Sequence, residues 1–249
     1  MQWLHLSAPT KEEINSLINT YDFHELIEED LLESSTHEKI DIYEEYMFIV
    51  LNFPKYNTQH QNYIFNEFSI ILGKNIIVTM TKYDTNHIQN MIEEYTQELK
   101  EREEDEDYKI SPYYILYRII DAMYDKAGTI INKSTKDVLA MEHQLFSSSR
   151  LEKQLLESLT IKKRNIVFLK HIYIPHQEIL EQLQNEIPKF YKEDLDVYFE
   201  DLSSRVDKIM NNIEKSHENI ESLFDTYNTL MTIKTNSVIN VLTIFSALT

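Results

Sequence analysis

Cysteine is absent from the 249 residues, and glycine occurs only twice, at Gly73 and Gly128. The first absence excludes a disulfide framework and thiolate metal sites, and it suits a reducing cytosol. The second excludes glycine-rich phosphate loops and nucleophile elbows, which removes most nucleotide enzymes. Basic residues are also scarce. The 24 Lys and Arg against 42 Asp and Glu leave a formal charge of -18, which repels phosphate backbones and anionic headgroups while concentrating cations. Nucleic acid is therefore disfavoured as a partner. Met1–Thr10 lacks the basic and apolar blocks of a signal peptide. No long hydrophobic run is present: Ile239 to Leu248 is apolar but interrupted by Asn240, Thr243 and Ser246, and falls short of the roughly 20 residues a membrane span needs. Because the chain stops inside that run, the expectation is a polypeptide cut at a membrane boundary. The alternative is a natural end docked on the core.

With 42% hydrophobic and 27% charged residues, the composition is globular, and one or two domains are expected. Residues 1 to about 110 read as a mixed α/β unit. Trp3 to Leu6 suits a strand, and Thr10 before Glu12 and Glu13 suits a helix start with acids in the first turn. Leu26 to Leu32 continues as a shorter helix. The run from Tyr46 to Leu51 is aromatic and branched, and Tyr63–Leu72 and Ile76–Thr81, separated by Gly73-Lys74-Asn75, read as a hairpin. Glu93 to Asp107 reads as a solvated helix end or linker.

Ser111-Pro112, a cap followed by a residue tolerated at the first helical position, begins a helical regime spanning 111–187. Ile115, Ile119, Ala122, Ile130, Val138, Met141 and Leu145 share one face, and Ser147 to Ser149 suits a turn. The return helix carries Leu151, Leu155, Leu159, Ile166, Leu169, Ile172, Ile179, Leu183 and Ile187, with a kink expected at Pro175. The two should pack as an antiparallel hairpin.

After Pro188 neither proline nor glycine recurs. A heptad runs through 188–249, with Phe199, Val206, Ile213, Ile220, Tyr227, Lys234, Val241 and Leu248 at one seam position. Leu202, Ile209, Ser216, Leu223, Leu230, Ser237 and Ile244 occupy the other. A continuous helix over the 61 residues after Pro188 would be about 90 Å long, so its distal half must meet partner helices, a membrane or both, and one helix is expected from about Glu193 to beyond Val241. Ser216, Lys234 and Ser237 weaken a dimeric zipper and fit a wider bundle with a wet centre.

Chemistry-bearing patterns are few. His171 and His176 are five apart, whereas ligands on one helical face need spacings of three or four, and no zinc-protease motif exists. Lys162-Lys163-Arg164 reads as a solvated face. Carboxylates are the better candidates, because hard cations such as Mg2+ take a few of them plus retained waters. Glu28-Glu29-Asp30 and Asp201 qualify, although by spacing alone they read as surface charge.

The string FDTYNTLMTIKTNSVINVLTIF from Phe224 resembles the stalk end and first membrane helix of the CorA family of divalent-cation channels. The matching residues are Asp225, Tyr227, Lys234, Thr235, Asn236 and the run Val241 to Ile244. Upstream, Tyr198-Phe199-Glu200-Asp201, Pro175, Ile120-Asp121-Ala122, Tyr46 to Leu51, Leu26 with Glu29-Asp30, and Trp3 with Pro9-Thr10 fall in family order. The family's Gly-Met-Asn pore signature would lie beyond Thr249, so the magnesium and zinc branches are not separated here.

This resemblance implies the cytosolic funnel of a homopentameric Mg2+ channel in the plasma or inner membrane, with Co2+, Ni2+ or Zn2+ as further candidate ions. It implies no enzymatic activity and no small-molecule substrate. By resemblance, Asp201 would bind regulatory Mg2+ between subunits, with Glu29 and Asp30 facing it from the neighbour. Asn236 would form a polar ring at the pore mouth, and Ile239 and Leu242 a hydrophobic gate that closes by dewetting. Ile239 stands where the family often has Met. The rival readings are a soluble helical scaffold that self-associates through the heptad, and a metal-dependent hydrolase.

Overall fold

The computed structural model describes residues 1–33, 37–82, 86–101, 111–147, 153–191 and 195–248. Strand β1 (Gln2–Ser7) opens the chain, followed by helices α1 (Lys11–Tyr21) and α2 (Glu25–Leu32). Strands β2 (Lys39–Ile42), β3 (Tyr46–Asn57), β4 (Asn62–Gly73) and β5 (Ile76–Thr81) come next, then helix α3 (Asn86–Glu101). Three long helices complete it: α4 (Pro112–Ser147), α5 (Lys153–Phe190) and α6 (Asp196–Leu248).

The strands form one mixed sheet in the order β1-β5-β4-β3-β2, with β1 parallel to β5 and the remaining pairs antiparallel. The expected hairpin at Gly73 is β4–β5. Alternation along the strands sends two apolar sets to opposite faces. Phe48, Val50, Ile71, Val78 and Met80 meet Ile14, Leu17, Ile27 and Leu31 of α1 and α2. Met47, Ile49, Leu51, Phe68, Ile70 and Leu72 belong to a second core that continues through α4, α5 and α6 as far as Tyr227. Sheet and bundle are therefore packed around common residues.

Helix starts follow local chemistry. Thr10 and Glu13 make a reciprocal capping box, the Glu13 amide donating to Thr10 Oγ1 at 3.3 Å and the Thr10 amide to Glu13 Oε2 at 2.7 Å. The Tyr114 amide donates to Ser111 Oγ at 3.1 Å, so Ser111 caps α4 ahead of Pro112. Residues 93–101, read from the sequence as a helix end or linker, lie within α3, where Ile88 and Tyr95 are buried and Tyr95 packs edge-on to Trp3. Positions 102–107 of that acidic segment, Ser148 and Ser149 of the expected turn, Leu151 and Glu193 lie outside the described residues.

Cross-helix pairs give the orientation of the bundle. Tyr124 and Asp137 of α4 meet His176 and Lys162 of α5, so these two run antiparallel as expected. Tyr117 and Thr135 meet Asp201 and Ser216, so α4 and α6 run parallel. Pro175 does not break α5, which continues as one helix through Pro175 and Pro188. Buried Ile172, Tyr173, His176 and Ile179 hold it against its neighbours on both sides of the lost donor. The Lys162–Arg164 run is used structurally: Lys162 pairs with Asp137 and Lys163 with Glu221, while Arg164 donates to the carbonyls of His60 and Gln61 at the β3–β4 tip.

Helix α6 is continuous and about 80 Å long at ~1.5 Å per residue. Its seam is buried from Phe199 to Tyr227, whereas every residue from Met231 to Leu248 is exposed, including the seam residues Val241, Ile244 and Leu248 and the off-seam Ile233, Ile239, Leu242 and Phe245. The proximal seam thus meets α4 and α5 of its own chain. Ser216, expected at a wet centre between helices, is buried at 1% exposure and bonded to Thr135 at 2.8 Å. A serine seam residue is satisfied here within the chain. Among the described residues, no helix is long and apolar enough to cross a membrane.

Candidate functional site

The half-exposed Asp201 lies one turn before Arg205 on α6, and Asp121 and Asp125 lie one turn apart on α4. Parallel packing brings the four to one level. Arg205 Nε is 2.7 Å from Asp121 Oδ1 and 3.1 Å from Asp201 Oδ2, and its Nη1 is 2.6 Å from Asp125 Oδ1. The Tyr117 hydroxyl donates to Asp201 Oδ2 at 3.3 Å. Burial, reinforced by the charges of Asp121 and Asp201, pushes the Tyr117 hydroxyl up to about 12, so it remains a donor. Burial also raises the Asp121 carboxyl, against the opposing pull of Arg205.

Beside this group is an open groove of about 510 Å³ between α4 and α6, bordered by Gly128, Asn132, Ser204, Lys208 and Asn212. Both polar contacts of Asp201 named above fall on Oδ2, and its side chain is 45% exposed, which leaves the carboxylate accessible to a hydrated cation.

Glu29 and Asp30 line a different cleft, of about 540 Å³, between α2 and the edge strand β2. Lys39 lies 2.6 Å from Asp30 and 2.9 Å from Asp41. Burial disfavours the Lys39 charge, but hydrogen bonds to the two aspartates outweigh it and raise its pKa. Within one chain the structure does not bring Glu29 and Asp30 to Asp201. Among the described residues, no group of three or more His, Asp or Glu side chains is arranged to hold a metal ion. Donors for a cation at Asp201 would have to be completed by water or by another subunit.

Asn236, Ile239 and Leu242 all lie on the exposed distal part of α6, at 53% exposure for Ile239 and 61% for Leu242. Among the described residues, every position from Met231 to Leu248 is exposed. Sequence reasoning missed Arg205 and Asp125. Their signal was the i,i+4 spacing of Asp121 with Asp125 and of Asp201 with Arg205, which places each pair on one face.

Residues 1–249 match the family model described as CorA-like Mg2+ transporter protein. The chain is 25% identical over 250 residues to the cobalt/magnesium transport protein CorA of Thermotoga maritima, covering 99% of this chain and 68% of that one. The fold resembles the full-length CmaX protein at a TM-score of 0.80 and 18% identity, over 98% of this chain and 72% of that chain. It also resembles the complete CorA magnesium transporter of Methanocaldococcus jannaschii at a TM-score of 0.79 and 16% identity, over 97% and 73%.

Proposed function

Because the chain belongs to the CorA-like Mg2+ transporter family, whose members move ions and are not enzymes, we propose that it is the cytosolic sensing and gating portion of a homopentameric Mg2+ channel. The observation that carries this reading is the division of α6. Its proximal half is locked into the chain's own core, while its distal half leaves Asn236, Ile239 and Leu242 exposed. Five such helices side by side would bury that face and enclose an axial path, with Asn236 as the polar ring and Ile239 and Leu242 as the constriction.

Sensing follows from electrostatics. At -18 per chain, subunits repel unless counter-cations lie between them. Asp201 of one subunit would hold regulatory Mg2+ largely through its waters, with Glu29 and Asp30 of the neighbour opposite. An ion bound preferentially to the closed, symmetric form stabilises it, and depletion lets the subunits separate and the gate wet. Co2+ is a second candidate cargo, since the Thermotoga maritima relative is a cobalt/magnesium transport protein.

The test is protease protection of the membrane-inserted assembly against Mg2+ concentration, with ion flux measured alongside. Millimolar Mg2+ should protect the wild type and reduce flux. Asp201→Ala should blunt the response, and Asp201→Lys should protect without metal by supplying a positive charge. Coincident curves for all three would remove Asp201 from the sensor.

A further inference from the structure

We infer that Arg205 is a tethered counter-cation that competes with a divalent ion for Asp201 and so sets the ion concentration at which the stalk responds. This rests on the sensing role proposed above and adds its regulation.

Three carboxylates pair directly with one guanidinium while Arg118 acts on Asp121 only at longer range, so the directly paired group is net negative and keeps an attraction for further cations. The guanidinium makes aligned hydrogen bonds to Asp201 from Nε and to Asp125 from Nη1. Its approach to the buried Asp121 Oδ1, at 2.7 Å, is out of hydrogen-bond alignment and is a charge contact only. One Nε therefore serves two carboxylates, and it satisfies them unequally. A small ion with several equatorial positions could serve both, whereas the planar fork directs each N–H along one line.

Arg205 also has somewhere to go. Gly128 faces the groove with no side chain, and a Cβ built there would meet nothing within 4 Å. The amides of Asn132 and Asn212 border the same space and offer acceptors to a displaced guanidinium. Exchange of Arg205 for a divalent ion thus requires a side-chain swing and no movement of α4 or α6. Lys208, on the same wall, adds positive charge at longer range and favours the arginine-bound state at low ion concentration.

The experiment titrates the 249-residue chain with Mn2+, standing in for Mg2+, and follows free Mn2+ by its electron paramagnetic resonance signal. R205Q should bind Mn2+ roughly thirtyfold more tightly than wild type, the effect in water of removing one unit charge ~4 Å from a divalent ion. R205K should fall between them, because it keeps the charge without the fork. R205Q/D201N should lose the gain. Folding is checked by helical circular dichroism, and if R205Q does not fold, R205K carries the comparison. A folded variant that binds no more tightly than wild type overturns the inference, as does a gain that survives D201N. Failure of the sensing role would instead appear as Mg2+-independent protease protection of the assembly, which leaves the Mn2+ comparison on the single chain unaffected.

Discussion

The hydroxyls of Thr135 on α4 and Ser216 on α6 lie 2.8 Å apart, and the Ser216 hydroxyl is also 2.9 Å from the Asn212 carbonyl. A polar residue in an apolar seam is thereby satisfied without water. Ser216→Leu would complete the heptad, and a seam between subunits would gain from it. Here the site is closed, so leucine should overpack it and cost about 1–3 kcal/mol, while Ser216→Ala should cost about 1 kcal/mol. Urea unfolding of both variants checks the order, and a stabilising leucine would contradict an intramolecular seam.

His176 is fully buried between α5, α4 and β3, 3.0 Å from the Tyr124 hydroxyl through Nδ1 and 3.0 Å from the Asn52 carbonyl through Nε2. The carbonyl requires a donor at Nε2, which leaves Nδ1 to accept from the tyrosine. Burial lowers its pKa to about 4, against the raising effect of the Asn52 carbonyl. The unfolded chain takes up this proton near pH 6.5, so stability falls as pH drops from 6.5 toward 4, by roughly 3 kcal/mol over the full window. His176→Gln should be less stable than wild type at pH 7, with the gap narrowing as pH falls. A gap that stays constant between pH 7 and 4.5 in urea titrations would contradict this.

Gly128 lies mid-helix in α4, where glycine costs about 1 kcal/mol relative to alanine. With open space at its Cβ position, Gly128→Ala should raise the stability of the chain by about that amount, read as a higher urea midpoint at unchanged slope.

Lys39 joins Asp30 and Asp41 across the α2–β2 cleft with its side chain 32% exposed. Lys39→Met should cost under about 1 kcal/mol, since partly exposed pairs contribute little. It should also leave two carboxylates without their cation, so Mg2+ should raise the melting temperature of the variant more than that of wild type. Equal shifts would show that the cleft does not attract the ion.

The sequence made the long-period features legible because each has a repeating signal: the α6 heptad, the α5 stripe and the hairpin at Gly73. Two elements without such a repeat escaped it. Strand β2 is four residues of alternating charge and isoleucine, held by pairing with β3. Helix α3 is acidic enough to read as linker, and tertiary contacts of Ile88 and Tyr95 fix it. The α4 stripe was incomplete for a related reason. Leu116, Ile120, Tyr124 and Ile131 are also buried, because the helix is covered by both the sheet and the bundle and no single face describes it. Asp201 was visible through a resemblance, but Arg205 was not, since its partners Asp121 and Asp125 are some 80 residues away in the chain.

The last buried seam residue of α6, Tyr227, is followed by about 20 helical residues, or ~30 Å of rod. Such a rod behaves as a lever with its fulcrum where the core ends. A tilt of only about 5° at Tyr227 carries the far tip sideways by about 3 Å, the diameter of a water molecule. Displacements too small to disturb any hydrogen bond in the bundle are therefore magnified at Ile239 and Leu242. Stiffness of the packing around Ile220, Leu223 and Tyr227 governs how widely those side chains can move.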